Sequence, residues 1–138
     1  MTSQEPKIEL IIRFANGGRL MPEDIALIDA IRASRSIIGA GRATGISYRK
    51  CWLMADALNR TFESPVFGTY PGRKEAGSEV TPFGERLVAL YRSIERRAAG
   101  ASTAALAELE SALNPAFRPR AHTEKVEAGF SRTARSTL

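Results

Sequence analysis

The residues best suited to chemistry form one short run near the middle of the chain. Tyr48, Arg49 and Lys50 place a phenol, a guanidinium and an ammonium group at consecutive positions. A guanidinium donates paired hydrogen bonds to phosphates and to the edge of guanine, and an ammonium group binds phosphate as a point charge. This run, the Tyr48–Lys50 triplet, therefore suits contact with nucleic acid, and Ser47 before it suits a helix N-cap.

A catalytic or metal-binding set is not visible in the sequence. The chain has one histidine and one cysteine, which are too few for an ordinary structural zinc site. His122 stands alone near the C-terminus, and Cys51 falls in an apolar stripe that predicts a structural role. We therefore predict no enzyme, no metal and no cofactor. A single cysteine is typical of a reducing cytoplasm.

The net charge favours an anionic partner. The 138 residues include 20 Lys and Arg against 15 Asp and Glu, a formal charge of +5. The tail over residues 114–138 is basic, so it would add affinity for phosphates without sequence preference. No apolar run is long enough to cross a bilayer, and no membrane partner is predicted.

Local patterns predict the elements that position the triplet. Alternating apolar residues indicate strands, and apolar residues at helical spacing after Pro22 and Pro82 indicate helices. The predicted elements are strands over 7–14, 66–70 and 79–81, and helices over 22–34, 37–44, 47–62, 82–99 and 104–113. A polar loop over 71–78 joins the second and third strands into a hairpin. This order is typical of a winged helix-turn-helix, a mainly α fold with a β-hairpin wing and a long C-terminal helix.

The segment before the triplet fits the turn of a helix-turn-helix. Gly41 supplies a small residue where the two helices touch, and Gly45 tolerates the positive φ that ends the first helix. Ile46 would fill the core at the turn. The buried stripe of the next helix is predicted to be Cys51, Ala55, Leu58 and Phe62, with Trp52 packing beside it.

The same glycines admit a second interpretation. Residues 39–45 (Gly-Ala-Gly-Arg-Ala-Thr-Gly) superficially resemble a dinucleotide-binding loop. Such a loop must follow a strand and open a helix within a βαβ unit. Here a predicted helix precedes it, and the chain is short for that architecture. The pattern therefore favours the helix-turn-helix.

The sequence from about Ile8 to Arg97 resembles the N-terminal DNA-binding domain of ModE-type molybdate-responsive regulators, which is related to the LysR-type domain. The residues that carry the resemblance are Gly17-Gly-Arg-Leu20, Ile25-Ala-Leu-Ile-Asp-Ala-Ile31, Ala43-Thr-Gly-Ile-Ser-Tyr-Arg49, Trp52, Leu58-Asn59 and Thr81-Pro-Phe-Gly-Glu85. The resemblance implies a winged-helix dimer that controls transcription. It also implies that Ser47 and the triplet contact bases and phosphates.

Two departures from the family limit what the resemblance implies. The full-length regulators add a region that binds molybdate, and the residues after Arg97 are too few to supply it, so oxyanion sensing is not implied and the effector stays open. The family's wing is commonly glycine-rich, whereas residues 70–79 here are Tyr-Pro-Gly-Arg-Lys-Glu-Ala-Gly-Ser-Glu. Phosphate contacts through Arg73 and Lys74 are still predicted.

The sequence thus predicts a dimeric, sequence-specific transcriptional regulator of double-stranded DNA in the cytoplasm, associated with the nucleoid. The predicted DNA contacts are Arg42, Ser47, Tyr48, Arg49, Lys50, Arg73 and Lys74, with Arg19 and Arg35 as weaker candidates. The predicted dimer seam is Leu87, Leu90, Tyr91 and Ile94, although these residues also suit an intrachain core. The domain organisation is residues 1–99 for DNA binding and dimerisation, 100–113 for a further helix, and 114–138 for a flexible tail.

Two other functions stay open. The first is a protein-interaction module that keeps the winged-helix fold but binds DNA weakly or without sequence preference. The second is a non-specific nucleoid protein that works through the wing and the tail.

Overall fold

The chain has a mainly α, winged-helix-like fold, as predicted. The computed structural model describes residues 5–69 and 78–120. Its helices are α1 (Pro22–Ser34), α2 (Ile37–Thr44), α3 (Tyr48–Thr61), α4 (Pro82–Ala101) and α5 (Thr103–Ser111). Its strands are β1 (Ile12–Arg13), β2 (Arg19–Leu20), β3 (Phe67–Thr69) and β4 (Ser78–Val80). The chain divides into two compact units, residues 1–104 and residues 105–138, and each is described by itself.

The N-terminal hairpin, β1 with β2, differs from the single long strand predicted over residues 7–14. Only Ile12–Arg13 is strand, and it pairs with Arg19–Leu20, which was not predicted. The turn closes because Gly17 takes a φ of 91° and the amide of Phe14 donates to the carbonyl of Gly18 at 2.8 Å. The predicted alternation nevertheless holds for packing. Three apolar residues of this segment lie against the core, namely Leu10, Ile12 and Phe14.

Helix α1 supplies the centre of the core. It begins after Met21, whose amide donates to the Asp24 carboxylate at 2.9 Å, and it ends at Arg35 with a left-handed φ of 61°. Its apolar face is almost fully buried, as the period of 3.6 residues predicts, through Ile25, Leu27, Ile28 and Ile31. The α2 helix that follows contains residues 39–44, and Gly45 is its C-cap. The dinucleotide-loop interpretation is therefore wrong, because Gly39 and Gly41 lie within a helix, Gly45 ends it, and the preceding element is α1 rather than a strand.

Helix α4 packs against α1. The Arg32 guanidinium donates to the Glu85 carboxylate, with its closest nitrogen 2.7 Å from Oε1, and to Asp29 at 2.6 Å. The hydroxyl of the buried Tyr91 donates to the carbonyl of Leu10 at 2.6 Å, which joins α4 to the segment before β1.

Helix α4 continues past the predicted break at Gly100 and ends at Ala101. One glycine in a helix costs about 1 kcal/mol, which is too little to stop a helix of this length. The last predicted helix is present as α5 (Thr103–Ser111), and residues 114–120 contain neither helix nor strand. The rest of the predicted tail, with His122, lies outside the described residues. None of the described helices is both long enough and apolar enough to span a membrane.

The wing, β3 with β4, is a two-stranded hairpin whose described residues are 67–69 and 78–80. Ser78 was predicted to lie in the loop, but it is a strand residue. Its amide donates to the carbonyl of Arg35 at 3.1 Å, and the residue is buried. This bond ties the base of the wing to the end of α1, and the pairing with β3 extends the strand by one residue.

Candidate nucleic-acid interface

Helices α2 and α3 form the predicted helix-turn-helix. Helix α2 ends at Gly45, whose φ is 78° and whose amide donates to the carbonyl of Gly41 at 2.9 Å. A Cβ atom on Gly41 would lie 2.9 Å from the Ile46 carbonyl oxygen, so the turn passes too close for a side chain there. Both glycines therefore have the structural roles that the sequence predicts.

Ser47 caps α3, and the helix buries its predicted stripe. The Ser47 hydroxyl accepts a hydrogen bond from the Lys50 amide at 3.1 Å. Cys51, Ala55 and Leu58 are buried, and the Phe62 ring makes an edge contact with the Phe14 ring at 5.5 Å. Burial raises the pKa of the Cys51 thiol, which fits a structural residue better than a reactive thiolate.

The Tyr48–Lys50 triplet lies exposed on the first turn of α3. The Tyr48 side chain is 51% exposed, and Arg49 and Lys50 are also exposed. The Lys50 ammonium lies 3.3 Å from the Glu23 carboxylate at the start of α1. The sequence reasoning missed this ion pair, although the acidic first turn of α1 was visible as a pattern. To bind a phosphate, the Lys50 ammonium must either break its ion pair with Glu23 or contact both groups at once.

Trp52 departs from its predicted position. It was expected to pack beside the buried stripe, yet 49% of it is exposed. Trp52 lines a small cleft of about 150 Å³ with Asn59 and Phe67, between α3 and the wing. Leu53, the next residue, is 48% exposed. The outer surface of α3 thus combines cations with an aromatic and an aliphatic side chain.

The other predicted DNA contacts fall outside α3 in the sequence. Arg42 is exposed on the last turn of α2, apart from the triplet on α3. Arg73 and Lys74 lie outside the described residues. On the opposite side of α3 from Trp52, a cleft of about 430 Å³ is lined by Lys50, Arg13 and Arg19. Sequence reasoning gave Arg19 little weight and overlooked Arg13, because the pairing that brings them together was not predicted.

The four predicted seam residues divide into two pairs. Leu87 and Tyr91 are buried in the core of this chain, at 4% and 1% exposure. Leu90 and Ile94, on the outer side of α4, are 46% and 45% exposed. The structure therefore assigns the first pair to the intrachain core and leaves the second pair available for contact with a second copy.

Several known proteins are similar to this chain in sequence. No family model matches the chain. It is 41% identical over 80 residues to the molybdenum-pterin-binding protein MopB of Rhodobacter capsulatus, which covers 57% of this chain and 30% of MopB. It is 33% identical over 114 residues to MopA of the same organism, covering 81% of this chain and 42% of MopA. It is 29% identical over 91 residues to the transcriptional regulator ModE of Haemophilus influenzae, a match that covers 65% of this chain and 36% of ModE. The ModE-type resemblance is confirmed.

The chain spans less than half the length of each of these ModE-type relatives, between 30% and 42%. Their names describe two activities, molybdenum-pterin binding for MopA and MopB and transcriptional regulation for ModE. None of the names denotes an enzyme.

Two motifs of the ModE-type resemblance hold the wing in place. The Asn59 side chain accepts from the amides of Val66 and Phe67 at 2.8 and 2.9 Å, and it donates to the Phe67 carbonyl at 3.2 Å. The Thr81 hydroxyl donates to the Pro65 carbonyl at 2.6 Å and accepts from the Gly84 amide at 3.0 Å. A Cβ on Gly84 would lie 2.6 Å from the Val66 carbonyl oxygen. These residues fix the wing beside α3.

Proposed function

We propose that this chain is a sequence-specific, DNA-binding transcriptional regulator whose recognition helix is α3. The observation that carries the proposal is the exposed Tyr48–Lys50 triplet at the start of α3, directly after the turn of a helix-turn-helix. In proteins of this class the first residues of the second helix contact base edges in the major groove. ModE-type relatives, one of them named a transcriptional regulator, support the same role.

Each residue of the surface has a role in this proposal. Arg49 donates two hydrogen bonds to the edge of a guanine, and Tyr48 contacts a base or sugar beside it. Lys50 moves from Glu23 to a phosphate, and the Ser47 hydroxyl and amide lie at the helix N-terminus, where phosphates bind well. The remaining predicted contacts, all to phosphates, are those of Arg42, Arg73, Lys74 and the basic tail over residues 114–138.

We further propose that two copies form a homodimer through α4, with Leu90 and Ile94 in the seam. Leu87 and Tyr91 would then support the seam from within the core. A two-fold axis places two recognition helices on the two halves of a pseudo-palindromic site. Residues 1–99 carry DNA binding and dimerisation in this proposal, the further helix predicted within residues 100–113 is α5 (Thr103–Ser111), and the protein acts on the nucleoid in the cytoplasm.

The test is selection of bound sites from random duplexes, followed by affinity measurements on the selected site and on random DNA. Arg49→Ala should weaken binding to the selected site about 10- to 100-fold, the loss expected for a guanine contact. Arg96→Ala is the matched control, because Arg96 is exposed on α4 and its removal changes the charge equally. An unchanged ratio between selected and random DNA in Arg49→Ala would contradict the role of α3.

The half-exposed Trp52 and Leu53 favour one alternative, a protein-interaction module on the same fold. Such a module would bind no duplex tightly even at low ionic strength. Deleting residues 114–138 distinguishes the proposed regulator from the other alternative, a non-specific nucleoid protein. Specificity survives that deletion only if α3 reads bases.

A further inference from the structure

We propose that the N-terminal hairpin is a second DNA contact of this chain, in which Arg13 and Arg19 bind the sugar-phosphate backbone beside the groove that α3 enters. The inference rests on the proposed function and adds a backbone-binding surface to it. The partner is a phosphodiester chain, because the two side chains are guanidinium groups on a rigid and exposed support.

The two arginines stand side by side on the outer face of the hairpin. Arg13 and Arg19 are direct partners across the strands, while Ile12 and Leu20, the neighbouring pair, face the core. Like charges placed directly opposite each other destabilise a pair of strands. An anion bound between them would remove that repulsion.

The acidic groups nearby compensate this repulsion between Arg13 and Arg19 only in part. Within the described part of the chain, neither Arg13 nor Arg19 has an ion pair within 4.0 Å. Asp24 lines the same cleft and lies within electrostatic range of Arg19, but its carboxylate is largely buried and accepts a hydrogen bond from the Met21 amide. Lys50, which also pairs with Glu23, lines the cleft from α3, so three cations and one carboxylate surround the 430 Å³ cleft between the hairpin and α3.

The hairpin is held firmly at the C-terminal end of α3. The Asn16 side-chain amide donates to the Thr61 carbonyl at 2.9 Å, and Asn16 Oδ1 accepts from the Gly18 amide at 2.9 Å. A Cβ on Gly18 would lie 2.4 Å from the Thr61 methyl group, so the turn lies directly against the helix. A support fixed in this way orders the two arginines before any ligand arrives, which reduces the entropy lost on binding.

The length of α3 would place the N-terminal hairpin near the sugar-phosphate backbone of the DNA. Its 14 residues span about 20 Å at 1.5 Å per residue, whereas the major groove is about 12 Å wide. A helix that enters the groove with its N-terminus therefore has its last turns at the edge, where a phosphate chain runs. The hairpin lies against those last turns, through Thr61.

The test compares the double variant Arg13→Gln/Arg19→Gln with a control of equal charge change, Arg86→Gln/Arg96→Gln, whose arginines are exposed on α4. Affinities for the selected duplex and for random DNA are measured over a range of salt concentrations. Each lost phosphate contact lowers the slope of log K against log salt by about 0.9, so the double variant should lose about 1.8. The fall in its affinity between about 50 and 200 mM salt should then be about 12-fold smaller than in the wild type.

The hairpin variant should lose affinity for selected and random DNA by the same factor, because phosphates carry no sequence information. The control should keep the wild-type slope, and urea unfolding should show both variants folded. An unchanged slope in the hairpin variant, while Arg49→Ala still lowers specificity, would overturn this inference alone. Wild-type protein that binds no duplex would overturn the proposed function as well. Binding of inorganic phosphate by the wild type but not by the hairpin variant, with the same salt slope for DNA in both proteins, would assign the cleft to a free anion instead.

Discussion

Replacing Asn59 by alanine tests how helix α3 is joined to the wing. The Asn59 side chain accepts hydrogen bonds from the amides of Val66 and Phe67 at 2.8 and 2.9 Å. These two residues are 0% and 6% exposed. An unpaired buried donor costs about 1–3 kcal/mol, so two of them cost about 2–6 kcal/mol. Asn59 is itself only partly buried, so water reaches the site, and alanine improves helix propensity by about 0.5 kcal/mol. We therefore expect Asn59→Ala to lower the free energy of unfolding by about 2–4 kcal/mol, in the lower half of that range.

The assay is urea unfolding monitored by circular dichroism, with the slope of the transition used to check that the denatured state is unchanged. Small domains have about 5–15 kcal/mol of stability, so the variant should stay folded without denaturant. Arg60→Ala is the matched control on the neighbouring residue, because Arg60 is exposed and, among the described residues, its side chain pairs only with Asp56, at 3.0 Å. Its effect should stay within about 0.5 kcal/mol. A loss below about 1 kcal/mol in Asn59→Ala, or a loss equal to that of the control, would refute the reasoning.

Three further predictions concern the supports of the interface. Tyr91→Phe removes the hydroxyl that donates to Leu10 at 2.6 Å, and urea unfolding should show a loss of about 1–2 kcal/mol rather than none. Burial raises the pKa of the Asp24 carboxyl, so the folded state binds this proton more tightly than the unfolded state does. The stability that protonation contributes is therefore lost as the pH rises through the folded pKa. Asp24→Asn should therefore flatten the fall in stability with rising pH in the acid range, and an unchanged slope would contradict this cause. Gly84→Ala places a Cβ 2.6 Å from the Val66 carbonyl oxygen, and we expect a net loss of about 1–3 kcal/mol in thermal or urea unfolding, whereas a gain would show that the wing yields easily.

Local signals predicted most of the helix-turn-helix. Helix α1 was predicted over residues 22–34 and α2 over residues 37–44, which are the bounds observed. Ser47 is the N-cap of α3 and Gly45 the left-handed residue that ends α2, as expected. Each of these features depends on residues within a turn or two of the chain, which is why the sequence pattern carries them.

Features that depend on distant contacts were not predictable in the same way. Strand β2 exists only because Arg19–Leu20 meets β1, and two residues have no periodicity of their own. The Lys50–Glu23 pair needs α1 to lie beside the start of α3. The apolar face of α4 was visible in the sequence, but only the packed structure separates Tyr91 in the core from Leu90 on the surface.

We propose above all that the start of α3 contacts DNA. The most direct test is to record amide NMR spectra of the full chain while it is titrated with the selected duplex. We predict that the largest chemical-shift changes fall on residues 47–50, with smaller changes around Arg13 and Arg19 and none of comparable size on the exposed face of α4. Changes confined to α4 or to the C-terminal residues, with 47–50 unaffected, would contradict it.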